Sequence, residues 1–179
     1  MRAITACGGR SVPRYAGPVA RAATPAIAAL LAAGIQHEVI RYRHDGRTDA
    51  FGDEAVAELA GLGIGAAQVF KTLVIALPQG LAVAVLPVPT KLSLKAAAAA
   101  LGVARAEMAE PAAAQRSSGY VVGGISPIGQ RKPLPTVLDS SALAFDTVLC
   151  SAGKRGWDVA LAPADLIAVT GAVTAAIGV

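Results

Sequence analysis

The sequence predicts an α/β domain with a mixed, largely antiparallel, partly closed, β-barrel-like sheet and surrounding helices. Three observations lead there. Helix-like and strand-like segments are interspersed along the chain rather than gathered into blocks. Several strand-to-strand connections are too short for a helical crossover, so those neighbours must run antiparallel. The length of 179 residues suits one domain that can bury enough surface to fold alone.

Taken in order, residues 1–22 mix Gly, Pro and Arg without periodicity and are read as a flexible N-terminal arm, leaving 23–179 as the single folded domain. Thr24–Pro25 reads as a helix N-cap followed by proline at the first helical position. Ile27, Leu30 and Leu31 are expected on one face, and Gly34 as the stop. Gln36–Tyr42 predicts a strand. Phe51–Gly61 predicts a short helix with Val56 and Leu59 inward, and with Asp53 and Glu54 in the first turn, where the helix dipole favours carboxylates. Gly61, Gly63 and Gly65 turn the chain into Val69–Leu77, and Pro78–Gln79–Gly80 then joins it to Leu81–Leu86 as a hairpin. Ser93 caps a helix over Leu94–Leu101 that ends at Gly102. Arg105–Glu110 reads as strand then turn, and Pro111–Arg116 as a helical turn. Tyr120–Val122, Thr136–Asp139, Thr147–Cys150 and Trp157–Leu161 are β-prone runs between turn residues. Pro163 starts a last helix through about Thr170, and the tail is expected to fray.

Composition narrows the function classes. Aromatics make up only 4% of the chain, which counts against a base-stacking surface for single strands. The net charge of +4 favours an anionic partner through long-range attraction. No charged residue lies between Lys71 and Lys91, yet Pro78, Gly80, Pro87 and Pro89 would break a spanning helix, so no membrane span is expected. The N-terminus lacks an apolar run of signal-peptide type, and a cytoplasmic protein is expected. Cys7 and Cys150 cannot make a disulfide framework and read as reduced thiols. His37 and His44 are too few for a metal site, so no metal or other cofactor is expected; His44 reads as a surface or cleft residue.

Three familiar sites are excluded by single residues. Lys71–Thr72 has the ending of a phosphate-binding loop, but Phe70 stands where that loop needs glycine. Gly63–Ile64–Gly65 lacks the third glycine of a dinucleotide fingerprint. Ser126 in Gly124–Ile125–Ser126–Pro127–Ile128 misses a nucleophile elbow, because Ile128 replaces the final glycine and no histidine follows.

What remains is polar residues set in apolar or glycine-rich sequence. Lys71 opens an apolar strand on the face of Leu73 and Ile75. It reads either as a strand-end lysine snorkelling to water or as a cation at a cleft rim, able to hold a phosphate, a hydroxyl or a developing oxyanion. Gly123–Gly124–Ile125–Ser126–Pro127 is either a plain connecting turn or a segment whose amides face a ligand. Ser151–Ala152–Gly153–Lys154–Arg155–Gly156 is either a hairpin with solvated charges or a contact for an RNA backbone, and Arg116, Arg131 and Lys132 extend that basic rim.

Four segments, in this order, carry a resemblance: Phe51–Glu54, Val69–Leu73, the long run from Ala112 through Gln115 and Gly119–Tyr120 to Pro127, and Gly153–Asp158. Together they closely resemble the YbaK family of free-standing Cys-tRNA(Pro) and Cys-tRNA(Cys) deacylases, relatives of the editing domain inserted in bacterial prolyl-tRNA synthetases. The likeness spans roughly residues 23–178. It implies Lys71 as the essential lysine and Tyr42 and Phe51 as pocket residues. It further implies that Gly123 and Ser151 border the aminoacyl group, with Gly124 and Ser126 in the same block, and that Asp158 is functionally important. Phe70 stands where the family often has tyrosine, Ser118 where it has threonine, and Trp157 where it has a smaller apolar residue. The implied substrate is the 3′ aminoacyl-adenosine end of a mischarged tRNA, with prolyl-tRNA synthetase as partner in a ternary complex and no role for DNA. The implied chemistry is ester cleavage assisted by the substrate's own thiol, so that an intramolecular attack replaces a bimolecular one. Alternatives are a deacylase for another mischarged tRNA such as Ala-tRNA(Pro), a non-catalytic tRNA- or synthetase-binding homologue, and an RNA-binding module.

Overall fold

The computed structural model describes residues 23–43 and 51–179, with Phe51 described for its backbone alone. The expected N-terminal arm, Cys7 and His44 lie outside the described residues. The elements run α1 (Pro25–Ala32), β1 (Glu38–Arg41), α2 (Phe51–Ala60), β2 (Val69–Leu77), β3 (Gly80–Pro87), α3 (Leu94–Ala100), β4 (Glu107–Met108), α4 (Pro111–Ser118), β5 (Thr136–Asp139), β6 (Val148–Lys154), β7 (Trp157–Leu161), α5 (Pro163–Thr170) and β8 (Val173–Ala175).

The strands form one mixed sheet in the order β1-β7-β6-β2-β3-β5-β8, with β4 paired to β2 beside this path. The pairs β1–β7, β7–β6, β2–β3 and β2–β4 are antiparallel, whereas β6–β2, β3–β5 and β5–β8 are parallel. Among the described residues no pairing joins β1 to β8, so the path is not closed into a ring.

Helices cover both faces. Along β3, Val83 and Val85 point to a core cluster with Ile27 and Leu30 of α1 and Leu166 of α5. Their neighbours Ala82, Ala84 and Leu86 point to the opposite cluster, under Ala97 of α3. This period of two makes β3 apolar on both faces, and so it reads as a continuous hydrophobic run. A third cluster packs Ala55 and Leu59 of α2 over Ile40, Val69, Leu149 and Ala160.

Local chemistry sets most element ends. The Thr24 hydroxyl accepts from Ile27 N–H and donates to the Ala152 carbonyl at 2.6 Å, so one residue both caps α1 and ties it to β6. The Ser93 hydroxyl accepts from Ala96 N–H at the start of α3. Gly119 and Gly171, at φ of +80° and +62°, end α4 and α5 in the left-handed conformation.

The structure corrects several local expectations. Leu31 is 50% exposed, not inward with Ile27 and Leu30. Tyr120–Val122 is no strand: it runs through bends into a tight turn, and the Tyr120 hydroxyl is anchored on the Ile128 carbonyl at 2.8 Å. The strand placed at Thr147–Cys150 instead spans Val148–Lys154, with an irregularity between Ser151 and Lys154. The tail does not fray. It forms β8 beside β5, and one oxygen of the buried Asp139 carboxylate accepts from both Ile177 N–H and Gly178 N–H at 2.8 Å. Burial would raise the Asp139 carboxyl, but these bonds and those from Ser141 outweigh it and hold it below its ordinary value.

Candidate active site

The site arises from a gap in the sheet. Strand β2 pairs with β6 only at Val69 and Phe70, then acquires β4 only at Ile75 and Ala76. Between those pairings one edge of β2 has no neighbouring strand, and a cleft of about 420 Å³ opens there. Val88 N–H donates to Val69 O on the β3 side, and Ala109 N–H donates to Val74 O on the other. By strand alternation the main-chain N–H and C=O of Thr72 therefore face the gap. The Thr72 hydroxyl is buried there without a hydrogen-bond partner. Thr72 was not singled out in the sequence; the available signal was a polar residue inside an apolar strand, next to Lys71.

Lys71 projects into the cleft, and open water is not its main partner. Its ammonium donates to the Val88 carbonyl at 3.0 Å and the Thr90 carbonyl at 2.5 Å. An ammonium has three protons, so one remains for a ligand. Burial lowers the Lys71 pKa from its ordinary value, and the nearby Asp53 carboxylate opposes that. Asp53 reaches the cleft because α2 packs closely on the end of β3. At Gly52 a Cβ would sit 3.0 Å from a Val88 methyl, so glycine permits that approach.

Asp158 and Ser151 face each other across the β6–β7 ladder, and both line the cleft. Asp158 is only 5% exposed, and burial pushes its carboxyl up to about 7. Tyr42, just after β1, lines the same wall; burial pushes its phenol well up, aided by the Asp158 and Glu54 carboxylates. The Ser151 hydroxyl accepts from Gly153 N–H at 3.2 Å. The cleft is further lined by Met108 of β4, by Ala109 in the link that follows, by Pro111 and Ala114 of α4, and by Val122, Gly123 and Ile125 from the segment after α4.

Among the residues nominated from sequence, Lys71, Tyr42, Gly123, Ser151 and Asp158 therefore meet in one cleft. Phe51 opens α2 immediately before the cleft residues Gly52 and Asp53. Gly124 and Ser126 do not line it. Gly124 backs onto the β6–β7 hairpin, where a Cβ would lie 3.0 Å from the Arg155 amide nitrogen, and its own N–H closes a turn on Val121 O. Ser126 is fully buried, its hydroxyl accepting from Ile128 N–H and its carbonyl from the Gln130 side chain. Glycine and serine in one short block look alike in sequence, and only packing separates the residue facing the cleft from those facing the core.

The nominated cations scatter. Arg155 donates from Nε and Nη2 to the Val122 carbonyl at 2.9 and 2.7 Å. Lys154 and Arg41 flank the Trp157 ring, at 4.8 and 3.9 Å from its centre. Arg116 and Lys132 line a second groove of about 810 Å³ at the β2–β3 turn, and Arg131 packs beside Gly119. No group of three or more His, Cys, Asp or Glu side chains suited to a metal ion occurs among the described residues. No described helix is long and apolar enough to cross a membrane.

Comparison with known proteins places this geometry. The profile of the aminoacyl-tRNA editing domain matches residues 52–169. A protein of Enterococcus faecalis, provisionally named Cys-tRNA(Pro)/Cys-tRNA(Cys) deacylase EbsC, is 38% identical over 138 residues, covering 75% of this chain and 83% of that protein. A crystal structure described, again provisionally, as a trans-editing enzyme for prolyl tRNA synthetase aligns at a TM-score of 0.77 and 25% identity, over 90% of this chain and 99% of its own. The crystal structure of the hypothetical protein APE2540 shares the fold at a TM-score of 0.75 and 23% identity, over 87% and 100% of the two chains. The chain belongs to the aminoacyl-tRNA editing domain family.

Proposed function

We propose that this protein is a trans-editing aminoacyl-tRNA deacylase acting on Cys-tRNA(Pro), with Cys-tRNA(Cys) as a further substrate, and that residues 23–179 work as one cytoplasmic editing domain. The observation that carries the reading is the chemistry of the cleft. It collects a cation, a desolvated carboxyl and a phenol, yet the described residues lining it include neither cysteine nor histidine. Among the described residues Ser151 therefore has no imidazole base beside it, and the expected nucleophile is the substrate's own thiol.

In this mechanism the cysteinyl sulfur attacks its own carbonyl carbon, forming a carbon–sulfur bond. The ester carbon–oxygen bond breaks, and the thiol proton passes to the departing tRNA hydroxyl. Water then opens the four-membered thiolactone to free cysteine. The net reaction is hydrolysis, although the first step alone is an elimination of tRNA of the lyase type. Lys71 supplies a fixed positive charge, and Tyr42, Phe51, Ser151 and Asp158 shape the aminoacyl pocket. Exposed cations, among them Arg116, Arg131, Lys132 and Lys154, meet phosphates of the tRNA. Prolyl-tRNA synthetase joins in a ternary complex and contributes tRNA selection.

A panel of aminoacyl-tRNAs tests the proposal. Cys-tRNA(Pro) is expected to be deacylated far faster than Ser-tRNA(Pro) or Ala-tRNA(Pro). Equal rates on the cysteinyl and seryl esters would replace thiol assistance by attack of water. A preference for Ala-tRNA(Pro) would reassign the substrate.

A further inference from the structure

We infer that Arg155 is a positioning residue that locks the Val122–Gly123 peptide so that the Gly123 N–H, rather than the Val122 carbonyl, is offered to the reacting ester. The inference deepens the proposed deacylase reading and rests on it for its kinetic arm.

Residues 121–124 form a tight turn, closed by Gly124 N–H donating to Val121 O at 3.0 Å. Gly123, in its third position, has φ of +83°, whereas no described non-glycine residue has positive φ. Val122 at negative φ followed by glycine at positive φ is a type II turn. Types I and II differ by a flip of the central peptide, here the one joining Val122 to Gly123. In one state the cleft receives a carbonyl oxygen, which repels developing negative charge; in the other it receives an N–H donor, which stabilises it.

Arg155 selects between the two. Its guanidinium donates twice to the Val122 oxygen, a charge-assisted contact reaching from the β6–β7 hairpin tip. In a trans peptide the C=O and N–H point in opposite directions. A carbonyl held on Arg155 therefore turns the Gly123 N–H away from the hairpin, and Gly123 lines the cleft together with Val122 and Ile125. Gly124 permits the contact, because a Cβ there would sit 3.0 Å from the Arg155 nitrogen and 3.2 Å from the Lys154 carbonyl carbon. Its own amide is committed to the turn, so of the two adjacent glycine amides it is that of Gly123 that is left for a ligand.

The test uses Arg155→Lys and Arg155→Met in the full chain labelled with ¹⁵N-glycine. The Gly123 amide resonance is expected to shift or broaden in Arg155→Met and to return part-way in Arg155→Lys. An unchanged Gly123 resonance in Arg155→Met overturns the inference, whatever the protein's substrate. With Cys-tRNA(Pro), kcat of Arg155→Met is expected to fall about 100-fold with KM within about threefold, the size of losing one oxyanion donor. A raised KM with unchanged kcat and a shallower salt dependence would make Arg155 an RNA-phosphate contact instead and overturn the positioning role. If Arg155→Met does not fold, Arg155→Lys carries both readouts, because it keeps the charge but removes the fork. Wild-type protein inactive on every aminoacyl-tRNA sinks the deacylase reading alone, since the resonance of Gly123 does not depend on it.

Discussion

The cleft beside Lys71 and the groove at the far end of β2 both set cations against apolar walls, but they treat charge in opposite ways. In the cleft, Lys71 is half-buried and held by two carbonyls, and Asp158 is almost wholly buried with its carboxyl pushed up to about 7. In the groove, Arg116 and Lys132 are exposed beside Leu77, Leu101 and Leu134. The two lie roughly 20 Å apart along β2, six residues at a strand's rise. A desolvated charge acts strongly on a ligand that enters beside it, whereas an exposed one attracts at long range and is screened by salt. On the proposed reading the cleft thus serves the chemistry and the groove the capture of tRNA.

The largest expected effect breaks the cleft. Lys71→Ala should lower deacylation of Cys-tRNA(Pro) by about 100- to 1000-fold, as for loss of a preorganised electrostatic group. Its circular dichroism should match the wild type. Near-normal turnover in a folded variant would return Lys71 to the simpler role of a strand-end lysine.

A smaller effect sharpens the contrast in burial. Below about pH 4 Asp158 is protonated whether the chain is folded or not. Between about 4 and 7 the unfolded chain ionises it while the folded chain keeps the proton, so stability falls as pH rises through that window. Asp158→Asn should remove this slope. Relative to wild type, its Tm should gain a few degrees more at pH 8 than at pH 5, at about 2–4 °C per kcal/mol for a domain of this size. A constant Tm difference across that range would mean that the carboxylate is stabilised by something other than water.

The smallest effect concerns the groove. Replacing both Arg116 and Lys132 by Ala should raise KM for tRNA about three- to tenfold and leave kcat unchanged. The salt slope of binding should flatten by about 1 per cation removed. Unchanged KM and slope would take the groove off the tRNA path.

Elements governed by neighbouring residues were legible in advance. Thr24 and Ser93 announce helix starts, and Pro78–Gln79–Gly80 announces the hairpin turn. Each works through a hydrogen bond or dihedral within a few positions. Misreadings fall where a distant contact decides. Val173–Ala175 is a strand because β5 offers an open edge, and the Asp139 carboxylate then holds the amides that follow. Tyr120–Val122 has strand-forming side chains, but the Tyr120 anchor and the turn at Gly123 take its backbone elsewhere. In the site, Lys71 could be nominated because a cation in an apolar strand is conspicuous, while Ser126 was nominated for its company and sits in the core.

By itself the sequence determined the α/β character of this protein, the helix caps, the hairpin, and the ordered segments that mark the editing family. These depend on residue type and spacing, which any reader of the chain possesses. Only the tertiary structure decided that β2 and β6 part after Phe70, opening a cleft between Lys71 and Asp158. It alone also assigned Arg155 to the Val122 carbonyl, a contact spanning 33 positions in sequence. Strand pairings and long-range hydrogen bonds depend on which surfaces meet, and nothing local to either partner encodes the meeting.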